Sequence, residues 1–189
     1  MTRQQFRIYL SGSIKKGLSD PRPEEAFWSP DDEDKIRKIV GEDVELLNPA
    51  KTDIRRNDFF LNYGCDLYLV ESSDVILVDL RDERGIGVGA ELMYARFHSI
   101  PVIGWLPENS NYRRDIVKGV FGEDLIDWTH PFAYGLCDYI ASSLESACHT
   151  LLQLMDSGDL VKDEKKSPEQ AKSRFLSTYP NQAIKKHDR

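Results

Sequence analysis

The sequence predicts an α/β fold: a single doubly wound domain with a parallel sheet of about five strands, flavodoxin- or Rossmann-like, with helices on both faces. Three observations predict it. Short apolar, β-prone runs alternate with amphipathic helical segments, the pattern that yields a parallel sheet covered on both sides. One unit is written out as strand, glycines and helix: Asp74-Val75-Ile76-Leu77-Val78-Asp79-Leu80, then Gly85-Ile86-Gly87-Val88-Gly89-Ala90-Glu91. The length, 189 residues, suits one domain with a substantial core.

In chain order, Phe6-Arg7-Ile8-Tyr9-Leu10 is the expected first strand, running into Ser11-Gly12-Ser13-Ile14-Lys15-Lys16-Gly17. Small residues followed by two lysines at a strand's carboxyl end suit an anionic or polyhydroxylated ligand, or a plain surface loop. Ser29-Pro30-Asp31-Asp32 signals a helix start, with Ile36, Ile39 and Val40 inward and a stop at Gly41. Phe27 and Trp28, just before that cap, either pack in the core or line a pocket for a base. Val44 to Asn48 is the second strand. Asn57 or Asp58 caps a second helix with Phe60, Leu61, Leu67 and Val70 as apolar contacts, and Asp66 lies among them.

The apolar run 74–80 is the third strand. The helix after its glycines carries Leu92, Tyr94, Ala95, Phe97 and His98 and ends near Pro101. Glu91 is expected in the first turn of this helix, where the partial positive charge favours an ionised carboxylate. Such a group beside glycines is a candidate nucleophile, or a Glu that merely complements the dipole. Pro101 to Trp105 is the fourth strand. Tyr112 to Val120 reads as a short helix bearing Arg113 and Arg114, and Asp138-Tyr139-Ile140 as a fifth strand. Ser142 or Ser143 caps a last core helix with Leu144, Ala147, Cys148, Leu151, Leu152 and Met155 on one stripe.

The domain is expected to span 1–156, with 157–189 a charged tail holding eight Lys or Arg against five Asp or Glu. This tail is expected to be mobile or laid on a partner subunit, with Ser167-Pro168 starting one short helix. A net charge of −7 argues against a nucleic-acid polymer as partner but leaves a single nucleoside or nucleotide open. Cys65, Cys137 and Cys148 have no paired metal spacing, and the four histidines are scattered, so reduced thiols, no metal and a cytoplasmic location are expected. No export signal or membrane span is expected.

Taken together and in order, Ile8-Tyr9-Leu10-Ser11-Gly12-Ser13-Ile14-Lys15-Lys16-Gly17, Asp66-Leu67, Asp74-Val75 and Gly85-Ile86-Gly87-Val88-Gly89-Ala90-Glu91-Leu92 resemble the nucleoside 2-deoxyribosyltransferases. The nearest branch is the 2'-deoxynucleoside 5'-phosphate N-hydrolases. The resemblance spans roughly residues 6 to 106, fades to an outline over 107–156 and does not include the tail.

The resemblance implies a nucleophilic role for Glu91 at C1' of the sugar. It implies that Asp66 orients the nucleophile and sugar and assists the leaving base, and that Tyr9 supplies a hydroxyl near the nucleophile. It places Gly12, Ser13, Ile14 and Lys15 in the substrate loop, and Gly85, Gly87 and Gly89 along the sugar or its 5' group. It implies no cofactor and a homodimer or higher oligomer with a shared pocket wall. By analogy with retaining glycosidases, the two carboxyl groups would stand about 5 Å apart.

Gly85 departs from the Asp or Ser that relatives carry there, and Met93 from a small glycine. Arg113 or Arg114 falls near a small hydroxyl that the N-hydrolases supply from the neighbour, so an Arg there either binds phosphate or is solvated. A ribohydrolase of the cytokinin-activating type would need a longer PGG-type turn, absent here. A nucleotide-binding sensor without turnover is the alternative from another class.

Overall fold

The computed structural model describes residues 5–15, 17–53, 57–82, 85–120, 122–157 and 167–180. The elements are β1 (Arg7–Ser11), α1 (Pro30–Val40), β2 (Glu45–Leu47), α2 (Phe59–Glu71), β3 (Val75–Asp79), α3 (Ile86–Phe97), β4 (Val102–Trp105), β5 (Arg113–Val120), β6 (Glu123–Thr129), α4 (Pro131–Leu136), β7 (Tyr139–Ala141), α5 (Leu144–Ser157) and α6 (Pro168–Thr178).

The main sheet has five parallel strands in the order β2-β1-β3-β4-β7. Strand alternation divides the core in two. Ile8, Leu10, Val75 and Leu77 pack against α1 and α5, through Ile36, Val40, Leu144, Ala147 and Leu151. Tyr9, Ile76 and Val78 pack against α2, α3 and α4, through Val70, Val88, Leu92, Ala95, Ala133 and Leu136. All five residues of β3 are buried, as a central strand covered on both faces must be. The chain reverses direction across the sheet between β1 and β3, the point where such folds open a crevice at the strand ends.

The helix starts follow local chemistry. Ser29 and Asp32 form a reciprocal capping box at α1, which ends at Gly41 with φ of +132°. Asp58, rather than Asn57, accepts from Leu61 N at 2.9 Å to cap α2. Ser143 accepts from Ser146 N at the start of α5, and Ser167 from Gln170 N at the start of α6.

Four expectations are corrected. Tyr112 to Val120 is not a helix: β5 pairs with β6 in an antiparallel ribbon, Arg113 opposite Thr129 and Ile116 opposite Ile126. The β-branched Ile116, Val117 and Val120 favour extended backbone, and Gly119 and Gly122, at φ of +69° and +89°, suit a reversal rather than a helix. The strand β6 and the short α4, with Pro131 in its first turn, had no counterpart in the sequence reading. Phe60 and Leu61 are exposed, so the packed side of α2 is carried by Val70 with Leu67 and Leu69 partly buried. Phe97 likewise faces outward at the end of α3.

Candidate active site

The fourth correction concerns the glycines. The residue Gly85 is the N-cap of α3, and Gly87 and Gly89 are helical, so the helix begins before them rather than after. Glu91 therefore lies in the second turn, and no acidic residue occupies the first. The dipole argument for an ionised carboxylate loses its force, because that effect fades within one turn. Burial takes its place. Glu91 is 8% exposed, and desolvation pushes its carboxyl up to about 7, opposed by the Ser11 hydrogen bond and assisted by the negative charge of Asp66.

Around Glu91 the fold gathers groups from two other elements. Ser11, the last residue of β1, donates to Oε2 of Glu91 at 2.6 Å, and the bond is buried. Tyr9, two residues earlier on the same face of β1, is fully buried. Its hydroxyl lies close enough to Glu91 for each to bear on the other's ionisation, without a hydrogen bond of normal geometry. Desolvation raises the Tyr9 phenol first, then the charges of Glu91 and Asp66. It stays protonated, a donor set beside the Glu91 carboxyl. Asp66 is half-buried on α2 and close enough to raise both groups, and Cys65 beside it also bears on Tyr9.

The glycines leave one side open. A Cβ at Gly85 or Gly89 would meet nothing within 4 Å, and one at Gly87 would meet only Oε1 of Glu91, at 4.0 Å. All three are exposed. Packing within the chain does not require their lack of side chains, so this side of Glu91 is unobstructed. Gly12 is different. A Cβ there would stand 2.9 Å from Nε1 of Trp28, so its smallness is needed for that indole, which donates to the carbonyl of Ser11 at 3.0 Å.

The structure thus brings Tyr9, Asp66, Glu91 and Gly87 together, and adds Ser11. The other predicted residues are engaged differently. Ser13 and Ile14 are half-buried in the loop after β1, and the carbonyl of Ile14 accepts from Arg22 at 3.0 Å. Lys15 is paired with Glu24, and Lys16 lies outside the described residues. Arg113 lies on the β5–β6 ribbon and faces Asp127 at 3.3 Å. Phe27 is buried, and Trp28 packs on the α1 side of the sheet with its ring 5.9 Å from that of Trp105. Arg81 covers Trp105 at 4.0 Å and binds Asp79 and Asp32.

Ser11 was within sight in the sequence. It shares the parity of Tyr9 along the strand, so period-2 alternation alone aims both at the same face. Among the described residues no cluster of His, Cys, Asp or Glu could hold a metal ion, and no helix is long and apolar enough to cross a membrane.

The chain matches no family model and no curated protein. Among solved structures, it is similar to a conserved protein from Enterococcus faecalis V583, with a TM-score of 0.58 and 18% identity over 79% of this chain and 98% of that one. At that identity the likeness shows the fold alone, a single α/β domain.

Proposed function

We propose that the protein cleaves or transfers at the N-glycosidic bond of a (deoxy)nucleoside or its 5'-monophosphate, through a covalent glycosyl ester on Glu91. The observation that carries this reading is the buried Glu91 carboxyl, held by Ser11, neighboured by Tyr9 and Asp66, and bordered by exposed glycines. A carboxylate there traps an oxocarbenium-like sugar. An oxygen of Glu91 bonds to C1' while the C–N electron pair leaves with the base, which takes up a proton. Water, or a second base, then attacks C1', loses one proton to balance the one the leaving base took up, and returns the electron pair to the carboxylate. Asp66 orients the sugar and assists the base, and Tyr9 supplies a hydroxyl beside the nucleophile.

The nucleophile must be ionised, and its pKa near 7 places that ionisation within the working range. The negative charge of Asp66, which raises that pKa in the free protein, becomes favourable once positive charge develops on the sugar. Exposed Phe59, Phe60 and Tyr63 on α2, with Ile86 and Phe97 on α3, support a homodimer that covers this side of the domain.

The test is incubation with deoxynucleosides and their monophosphates, with and without an acceptor base, following free base by chromatography. Base release that disappears in Glu91→Gln is the expected result. Release without an acceptor marks a hydrolase, and release only with one marks a transferase. Tight binding with no product would replace the enzyme by a nucleotide sensor.

A further inference from the structure

Ser11 has no role in the reading above beyond contact. Yet its side chain is fully buried, and its hydroxyl lies 2.6 Å from Oε2 of Glu91. A serine hydroxyl has one proton to donate, so the two carboxylate oxygens are not equivalent. Oε2 is engaged. Oε1 is the oxygen near Gly87, whose exposed position carries no side chain to obstruct it. The backbone of Ser11 is fixed in turn: it pairs with Val78 in the sheet, and its carbonyl receives the indole N–H of Trp28 from the opposite face.

We propose that Ser11 is a positioning residue that pins Oε2 of Glu91 and thereby assigns Oε1 as the oxygen that meets the anomeric carbon. This rests on the glycosyl-transfer reading. In the first step Oε1 bonds to carbon as the base departs with the C–N electron pair, and Oε2 becomes the ester carbonyl, still accepting from Ser11. In the second step water, or an acceptor base, bonds to the same carbon and loses one proton, balancing the one the departing base took up, and the C–Oε1 electron pair returns to the carboxylate. The Ser11 hydrogen bond strengthens as that charge returns. The other titratable groups facing this carboxyl are Tyr9 from β1 and Asp66 from α2, with Cys65 beside Tyr9.

The experiment is a pH titration of protein labelled with 13C at the glutamate side-chain carboxyl, with the Glu91 resonance assigned by its loss in Glu91→Gln. Removal of a hydrogen bond to a charged group in Ser11→Ala should raise the Glu91 midpoint by about one pH unit. The acid limb of kcat/KM for base release should move with it. Ser11→Cys, slightly larger and with a weak S–H donor in place of the hydroxyl, should fall between, and it decides the matter if the alanine variant does not fold. A Glu91 midpoint unmoved in a folded variant overturns the proposal. Wild-type protein that releases no base from any nucleoside or monophosphate overturns the glycosyl-transfer reading instead, while the midpoint still reports whether Ser11 holds the carboxylate.

Discussion

Glu91 combines burial with a polar partner, and the two effects oppose each other. Desolvation wins and places its pKa near 7 rather than the ordinary 4.5. The sign of the stability consequence follows. An acid that holds its proton more tightly when folded contributes stability that is complete below about 4.5 and is lost as pH rises through about 7. The loss is about 3 kcal/mol. Glu91→Gln stays neutral at every pH and keeps an oxygen to accept from Ser11. It is therefore expected to melt above the wild type at pH 8 by roughly 5–10 °C, with the difference vanishing near pH 4.5. Calorimetry across that range checks it; a pH-independent difference would contradict the assignment. At this scale the sequence pointed to Tyr9, Asp66 and Glu91 but gave the wrong reason for the ionisation of Glu91. Helix position depends on which residue starts the helix, and three alternating glycines do not announce whether they precede it or belong to it.

At the scale of elements, short apolar β-prone runs and the cap signals made β1, β3, β4 and the starts of α1, α2, α5 and α6 legible. The ribbon was not. A run such as Arg113 to Val120 mixes charged and β-branched residues, and its partner strand lies beyond two glycines, so the pairing that decides its state is invisible to a local window. Close packing between elements was equally hidden. In β4, a Cβ on Gly104 would stand 2.8 Å from Sγ of the buried Cys137, so the strand and the end of α4 approach only because position 104 has no side chain. Gly104→Ala is expected to destabilise the fold by about 1–3 kcal/mol. Adding Cys137→Ala should recover most of that loss, and a double-mutant cycle in urea measures the coupling. Additive effects of the two substitutions would rule the contact out.

For the molecule as a whole, the doubly wound architecture was predictable because one sheet must be covered on both sides, and helices of alternating order can do that in few ways. What surrounds the domain was less legible. Phe60, at the start of α2, was expected as an apolar contact of that helix, because hydrophobicity alone does not distinguish a core residue from an exposed one. Phe59 and Phe60 are more than four-fifths exposed. Under the proposed dimer, Phe60→Asp is expected to convert the protein to a monomer at micromolar concentration, as read by sedimentation, with no change in far-ultraviolet circular dichroism. An unchanged sedimentation coefficient would remove α2 from the interface.

Trp28 is joined through Ser11 to the opposite side of the sheet: its indole N–H ends on the same residue whose hydroxyl ends on Glu91. The protein therefore carries an optical gauge of its own site. Occupancy beside Glu91 should alter Trp28 emission and follow a saturable binding curve without any label. Trp28→Phe should silence that signal while Trp105 and Trp128 still fluoresce.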